Sequence, residues 1–168
     1  MNWTELLRTE IQSAYTVTEE LFAMVDGDRL EWKPSTGNNW MTTGQLLQHL
    51  TESCGAACRA FVTGDWGLPE GADASEIPPA EKLPSIASLA EAKRLLQADK
   101  QAALAALAAT SEEDLGHKPA PAPWDPTGMV LGHRLLQMVD HLKQHKGQLF
   151  YYLKLQGLPV DTRSLWGG

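Results

Sequence analysis

The sequence predicts an all-α protein folded as a four-helix bundle. Apolar residues recur at steps of three and four residues in four long stretches, which is the period of an amphipathic helix. Segments containing proline and glycine separate these stretches, and none of the chain shows the alternation of a half-buried strand. With 168 residues, 43% of them hydrophobic, the chain (1–168) is long enough to form one domain with a sizeable core.

The first two predicted helices each begin at a side chain that can cap them. The first covers about residues 3–25, and Asn2 is placed to accept a hydrogen bond from its first turn. The second covers about residues 43–62. It begins after Thr42, and Gln45 three residues later completes the spacing of a capping box.

The third and fourth predicted helices have equally clear ends. The third covers about residues 89–109, where Ser88 and Glu91 again have capping-box spacing. The fourth covers about residues 128–156 and is followed by Gly157, a residue typical of helix C-termini.

Two long loops rich in proline and glycine join the last three helices, over about residues 64–85 and 110–126. A loop of about 20 residues can span ~70 Å, whereas a 20-residue helix is only ~30 Å long. These loops can therefore run the length of a bundle and allow consecutive helices to lie parallel.

The acidic composition excludes several classes of function. The chain has 14 Lys and Arg residues against 21 Asp and Glu, a net charge of −7. Binding to nucleic acids or to anionic membranes needs clustered Lys and Arg, so we expect neither as a partner. The first apolar stretch is interrupted by charged residues, so no signal peptide or membrane anchor is predicted and the expected compartment is the cytoplasm.

The two cysteines, Cys54 and Cys58, are too few for a disulfide framework or a cysteine-rich zinc module. On the predicted second helix both point away from His49, so neither is expected to bind a metal together with it. We expect both to be small buried apolar side chains. Any metal site must therefore use histidines and carboxylates.

Three of the five histidines are candidate metal ligands. His141 and His145 are one helical turn apart, close enough to bind one ion, although such pairs are often simply solvated. His49 lies on the inward face of the second helix, where an imidazole needs either a metal or a hydrogen-bond partner. Facing helices assemble metal sites in bundles in this way. His117 and His133 are predicted not to be ligands.

Three stretches carry a family pattern. They are residues 39–40 with 44–50 (N-W, then G-Q-L-L-Q-H-L), residues 111–115, and residues 140–149 with 152–153 and 157 (D-H-L-K-Q-H-K-G-Q-L, then Y-L and G). In order and spacing they resemble the DinB/YfiT-like family of metal-dependent enzymes along nearly the whole chain. The resemblance implies an up-down-down-up bundle, a homodimer, and a divalent metal, nickel or zinc, held by His49, His141 and His145. Lys146 stands where the family usually has Arg, which keeps the charge but loses bidentate pairing.

The ligand set implied by this resemblance favours catalysis over a structural role. Closed structural sites use four protein ligands, whereas three histidines leave a position open. A water or a low-molecular-weight thiol in that position would lose its proton near neutral pH. The segment H-L-K-Q-H lacks the Glu of the zinc-protease motif H-E-x-x-H, so protease chemistry is not indicated.

Several other residues have both a functional and a structural interpretation. Asp99 is a candidate general base, or else a carboxylate at a helix end or beside a metal ligand. Gln148 could orient a ligand or the bound water, or hydrogen-bond between helices, and Tyr152 could line the pocket or pack in the core. Trp40 and Trp124 could cover a pocket or anchor their loops.

We therefore expect a metal-dependent enzyme with a small-molecule substrate, either a hydrolase or a transferase that uses a low-molecular-weight thiol as co-substrate. The alternative is a non-catalytic DinB-like protein, acting in a stress response or as a dimerisation module, with a vestigial metal site. The loops carry no recognition motif, so the sequence does not predict the substrate.

Overall fold

The computed structural model describes residues 2–67 and 78–167, and its helices confirm the predicted all-α class. Within these residues, no strand forms and two isolated β-bridges join Pro119 to Val130 and Ala122 to Asp125. Single-turn 3-10 helices lie at Gly27–Arg29 and Ala80–Lys82. The α-helices of the described residues are α1 (Trp3–Met24), α2 (Thr43–Leu50), α3 (Gly55–Thr63), α4 (Leu89–Ala108), α5 (Glu112–His117), α6 (Leu131–Leu155) and α7 (Thr162–Trp166).

Local side-chain caps determine where three of the long elements begin. Asn2, Thr42 and Ser88 each accept a hydrogen bond from the backbone N–H three residues later. For α1 and α2 the box is reciprocal, because the third helical residue bonds back to the cap. Each cap satisfies N–H groups that a helix start otherwise leaves without partners.

The predicted continuous helix over 43–62 is corrected to two helices, α2 and α3, with residues 51–54 between them. The break is stabilised from α4, where Asp99 accepts hydrogen bonds from the backbone N–H groups of Gly55 (2.9 Å) and Ala56 (2.8 Å). Glycine is required at position 55, because a Cβ there would overlap the backbone carbonyl of Asp99. A cap supplied from a distant helix leaves no local sequence signal.

The longer helices of the described residues pack around a shared core. α1 packs against α4 and α6, and α3 packs against the same two helices. α2 packs mainly against α6, so α2 and α3 together take the place of the predicted second helix. The up-down-down-up order of the helices stays a prediction. None of the described helices combines the length and the apolar character needed to cross a membrane.

The connecting segments contain helices that the sequence did not predict. The predicted loop over 110–126 begins with α5, whereas the predicted loop over 64–85 lies partly outside the described residues, at 68–77. Near the C-terminus, α7 packs against α1 and α6. Lys146 in α6 is buried, and its ammonium group donates to the backbone carbonyl of Leu165 (2.6 Å). A lysine can make this single hydrogen bond, which does not require the bidentate geometry of an arginine.

Candidate metal centre

The three predicted ligand histidines converge between α2 and α6. His49 lies in the last turn of α2, and His141 and His145 lie one turn apart on α6. One nitrogen from each imidazole lies within 4.8 Å of the others. The Nε2 atoms of His49 and His141 are 3.2 Å apart. Within the described part of the chain, this is the one group of three or more His, Cys, Asp or Glu side chains with the geometry to hold a metal ion.

The spacing of the histidine nitrogens fits a divalent metal. Zinc binds imidazole nitrogen at about 2.0–2.1 Å, so two ligands at a tetrahedral angle lie about 3.4 Å apart. The separation of 3.2 Å between His49 and His141 is close to that value. The cluster is therefore compatible with a divalent metal site.

The electrostatic surroundings keep the three imidazoles neutral. Burial, together with the neighbouring His145 and His141, lowers the pKa of His49 to about 4. Burial also lowers the pKa of His141 and that of His145. Neutral rings present the lone pairs that a metal ion requires, without competition from protons at pH 7.

A chain of hydrogen bonds orients His145. Its Nδ1 lies 3.0 Å from Oε1 of Gln148, and since a carbonyl oxygen can only accept, Nδ1 carries the proton and Nε2 has the free lone pair. Gln148 Nε2 donates to the Tyr152 hydroxyl (3.2 Å), which donates to the backbone carbonyl of Met41 (2.8 Å). His141 in turn hydrogen-bonds to the Ser53 backbone. Partners of this kind fix the orientation of metal-binding histidines.

Asp99 does not join this cluster. Its carboxylate is buried and accepts from the Tyr15 hydroxyl (2.6 Å) as well as from the start of α3. Burial raises its pKa, and these hydrogen bonds oppose that shift. Of the interpretations left open by the sequence, the structure shows the helix-end carboxylate.

The other histidines and both cysteines also lie apart from the cluster. His117 is exposed beside Glu113, and His133 is exposed on α6. Cys54 and Cys58 are fully buried in the core, as predicted for small apolar side chains.

A cavity of about 500 Å³ lies against the histidine cluster. His49 and His141 form part of its wall. The sequence indicated Trp124 as a possible pocket residue but did not indicate Glu52 or Trp66, which also line the cavity. The full lining comprises His49, Glu52, Ser53, Ala56, Ala57, Arg59, Ala60, Asp65, Trp66, Trp124, Met138 and His141. Glu52 could have been found from its position one turn after His49.

One polar atom in the cavity wall has no hydrogen-bond partner. The hydroxyl of Ser53 is buried and unpaired, alone in this among the buried side-chain atoms of the described residues. Leaving such a group unpaired costs about 1–3 kcal/mol, so its presence at the cavity calls for an explanation.

Comparisons with known proteins identify the kind of fold. The sequence profile of the DinB superfamily matches residues 10–149. A solved DinB-like protein from Bacillus subtilis, YjoA, superposes with a TM-score of 0.65 and 21% sequence identity, over 92% of this chain and 96% of that one. No curated protein matches the chain significantly. At this identity the structural likeness shows a shared fold.

Proposed function

This chain belongs to the DinB superfamily, as its histidine motifs predicted, and we propose that it is a metal-dependent enzyme acting on a small molecule, either a hydrolase or a thiol S-transferase. The observation that supports this most directly is that three neutral imidazoles converge beside a cavity of about 500 Å³, which is the size of a small-molecule site. A nickel or zinc ion bound there would lower the pKa of a coordinated water or thiol and supply a nucleophile at neutral pH.

The chain's own residues have separate tasks in this proposal. His49, His141 and His145 hold the ion, and Gln148 with Tyr152 keeps His145 in the required tautomer. We assign the general base to Glu52 rather than to Asp99. Glu52 lines the cavity, and partial desolvation at the cavity edge raises the pKa of its carboxyl, which suits proton transfer closer to neutral pH.

Metal analysis of protein purified without a histidine tag tests the site. We expect one divalent ion per chain, lost in His49→Ala and His145→Ala. The matched control is His133→Ala, an exposed histidine on the same helix. Absence of metal from the wild type, or equal metal content in all three variants, would refute the metal site and leave the non-catalytic alternative.

Activity assays then separate the two reactions. Electrophiles are tested with and without a panel of cellular thiols, and esters and amides are tested in water alone. Turnover that requires a thiol identifies a transferase, and turnover without one identifies a hydrolase. In either case Glu52→Gln should lower kcat while metal content stays unchanged. An unchanged kcat would exclude Glu52 as the base.

A further inference from the structure

Part of the cavity wall is aromatic. Trp66 and Trp124 both line it, with ring centroids 5.2 Å apart in an edge-to-face arrangement. Phe61 packs against both rings, at 4.8 Å from Trp66 and 6.2 Å from Trp124. The rest of the lining consists of three alanines and Met138 together with four polar or charged residues, and most of the cavity surface is apolar.

Trp124 is exposed even though its loop is rigidly held. The residue keeps 48% of its surface accessible. Its loop is tied to α6 by Arg134, which is fully buried and donates to the carbonyl of Ala120 (2.9 Å), to the Asp125 carboxylate (2.9 Å) and to the carbonyl of Thr127 (3.1 Å). A large apolar ring held in place at a cavity, with half its surface bare, is typical of a ligand-binding surface.

The charges at the cavity disfavour an anionic ligand. Glu52, Arg59 and Asp65 are exposed at its edge, two acids against one base. The whole chain carries a net charge of −7. An anion placed against the two tryptophans would also lose hydration on an apolar surface, and Arg59, the single basic side chain in the lining, is outnumbered by Glu52 and Asp65.

We infer that this cavity takes an uncharged aromatic part of the substrate, with Trp66 and Trp124 as specificity-determining residues and Arg134 as the residue that positions Trp124. The inference rests on the proposed function, because the reacting group of such a substrate would lie at the end of the cavity formed by His49 and His141. Edge-to-face and stacked contacts with indole rings select planar rings over aliphatic chains of equal size.

Two fluorescent probes with the same rings test the inference. N-phenyl-1-naphthylamine is neutral, and 8-anilinonaphthalene-1-sulfonate is the same molecule with a sulfonate. We expect the purified protein to bind the neutral probe at least about fivefold more tightly. Trp124→Ala should weaken that binding about tenfold. Trp166→Ala, which removes an exposed tryptophan on α7, is the matched control and should leave it unchanged.

A double-mutant cycle tests the positioning role. Arg134→Lys keeps the charge but loses the fork of hydrogen bonds, so it should weaken binding of the neutral probe in the wild type and have no further effect in Trp124→Ala. Additive losses would show that Arg134 acts on overall stability and would overturn its assignment.

The outcomes also separate this inference from the proposed function, because probe binding does not need the metal. Equal or tighter binding of the sulfonated probe, or no loss in Trp124→Ala, overturns the aromatic site even if the protein holds metal and turns over substrate. Conversely, the expected probe pattern in a protein that binds no metal supports the aromatic site and refutes the metal-dependent enzyme.

Discussion

Replacing Asp99 by alanine should destabilise the chain severely, because three hydrogen bonds meet at this one buried carboxylate. The Tyr15 hydroxyl donates at 2.6 Å, and the backbone N–H groups of Gly55 and Ala56 donate at 2.9 and 2.8 Å. Truncation leaves all three donors without an acceptor, at a position where Asp99 is only 6% exposed and little water can replace it.

The expected loss follows from those three donors. An orphaned buried hydroxyl costs about 1–3 kcal/mol, and losing a helix cap costs about 1 kcal/mol for each N–H. The free energy of unfolding should therefore fall by about 3–5 kcal/mol, out of a typical total of 5–15 kcal/mol. For a chain of this size that corresponds to a fall in Tm of roughly 6–20 °C. Asp99→Asn keeps one acceptor oxygen and should lose about half as much.

Urea and thermal unfolding followed by circular dichroism measure the effect. Asp140→Ala is the matched control, because Asp140 is an exposed aspartate whose contact with Lys143 is 3.7 Å long and contributes at most about 1 kcal/mol. If Asp99→Ala costs no more than this control, the interpretation of Asp99 as the cap of α3 is refuted. If Asp99→Asn abolishes turnover with its stability and metal content intact, Asp99 is the general base instead of Glu52.

Further predictions concern the site and α6. Ser53→Ala removes the buried unpaired hydroxyl and should raise the free energy of unfolding by about 1 kcal/mol; a lower urea midpoint would reveal a partner for that hydroxyl. Tyr152→Phe breaks the hydrogen bond from Gln148 and should weaken metal affinity about tenfold, measured against a competing chelator dye, with unchanged affinity contradicting the orienting role. Gly132→Ala should destabilise by about 1–3 kcal/mol because its Cβ would meet other atoms at 2.8 Å. Gly147→Ala, on the same helix with open space around it, should stabilise by about 0.5–1 kcal/mol, and thermal unfolding of both variants checks the contrast.

Helix starts could be predicted from the sequence where the cap is local. Thr42 and Gln45 are three residues apart, and the box they form is the one observed at the start of α2. The break after α2 could not be predicted, because its cap comes from Asp99, 44 residues after Gly55. Apolar periodicity alone continues through residues 51–54, and only the packing of α3 on α4 interrupts the helix.

The same distinction applies to the site. The pair His141 and His145 could be recognised because helical spacing places them on one face, and His49 because it falls on an inward face. The aromatic wall could not, because Trp66 and Trp124 lie in different loops and meet only in the folded chain. The fixed position of Trp124 could not be predicted either, because the adjacent Asp125 meets its partner Arg134, on the following helix, only in the folded chain.

The two helices that supply the histidines are distant in the chain, and this has a thermodynamic consequence. His49 and His141 are separated by 92 positions, a segment that contains α3, α4 and α5. An ion held by both would act as a reversible cross-link that closes this long loop and restricts the unfolded chain, as a disulfide does. Resistance to unfolding would then rise with the free concentration of the ion, so that the bundle itself would sense metal availability in its surroundings.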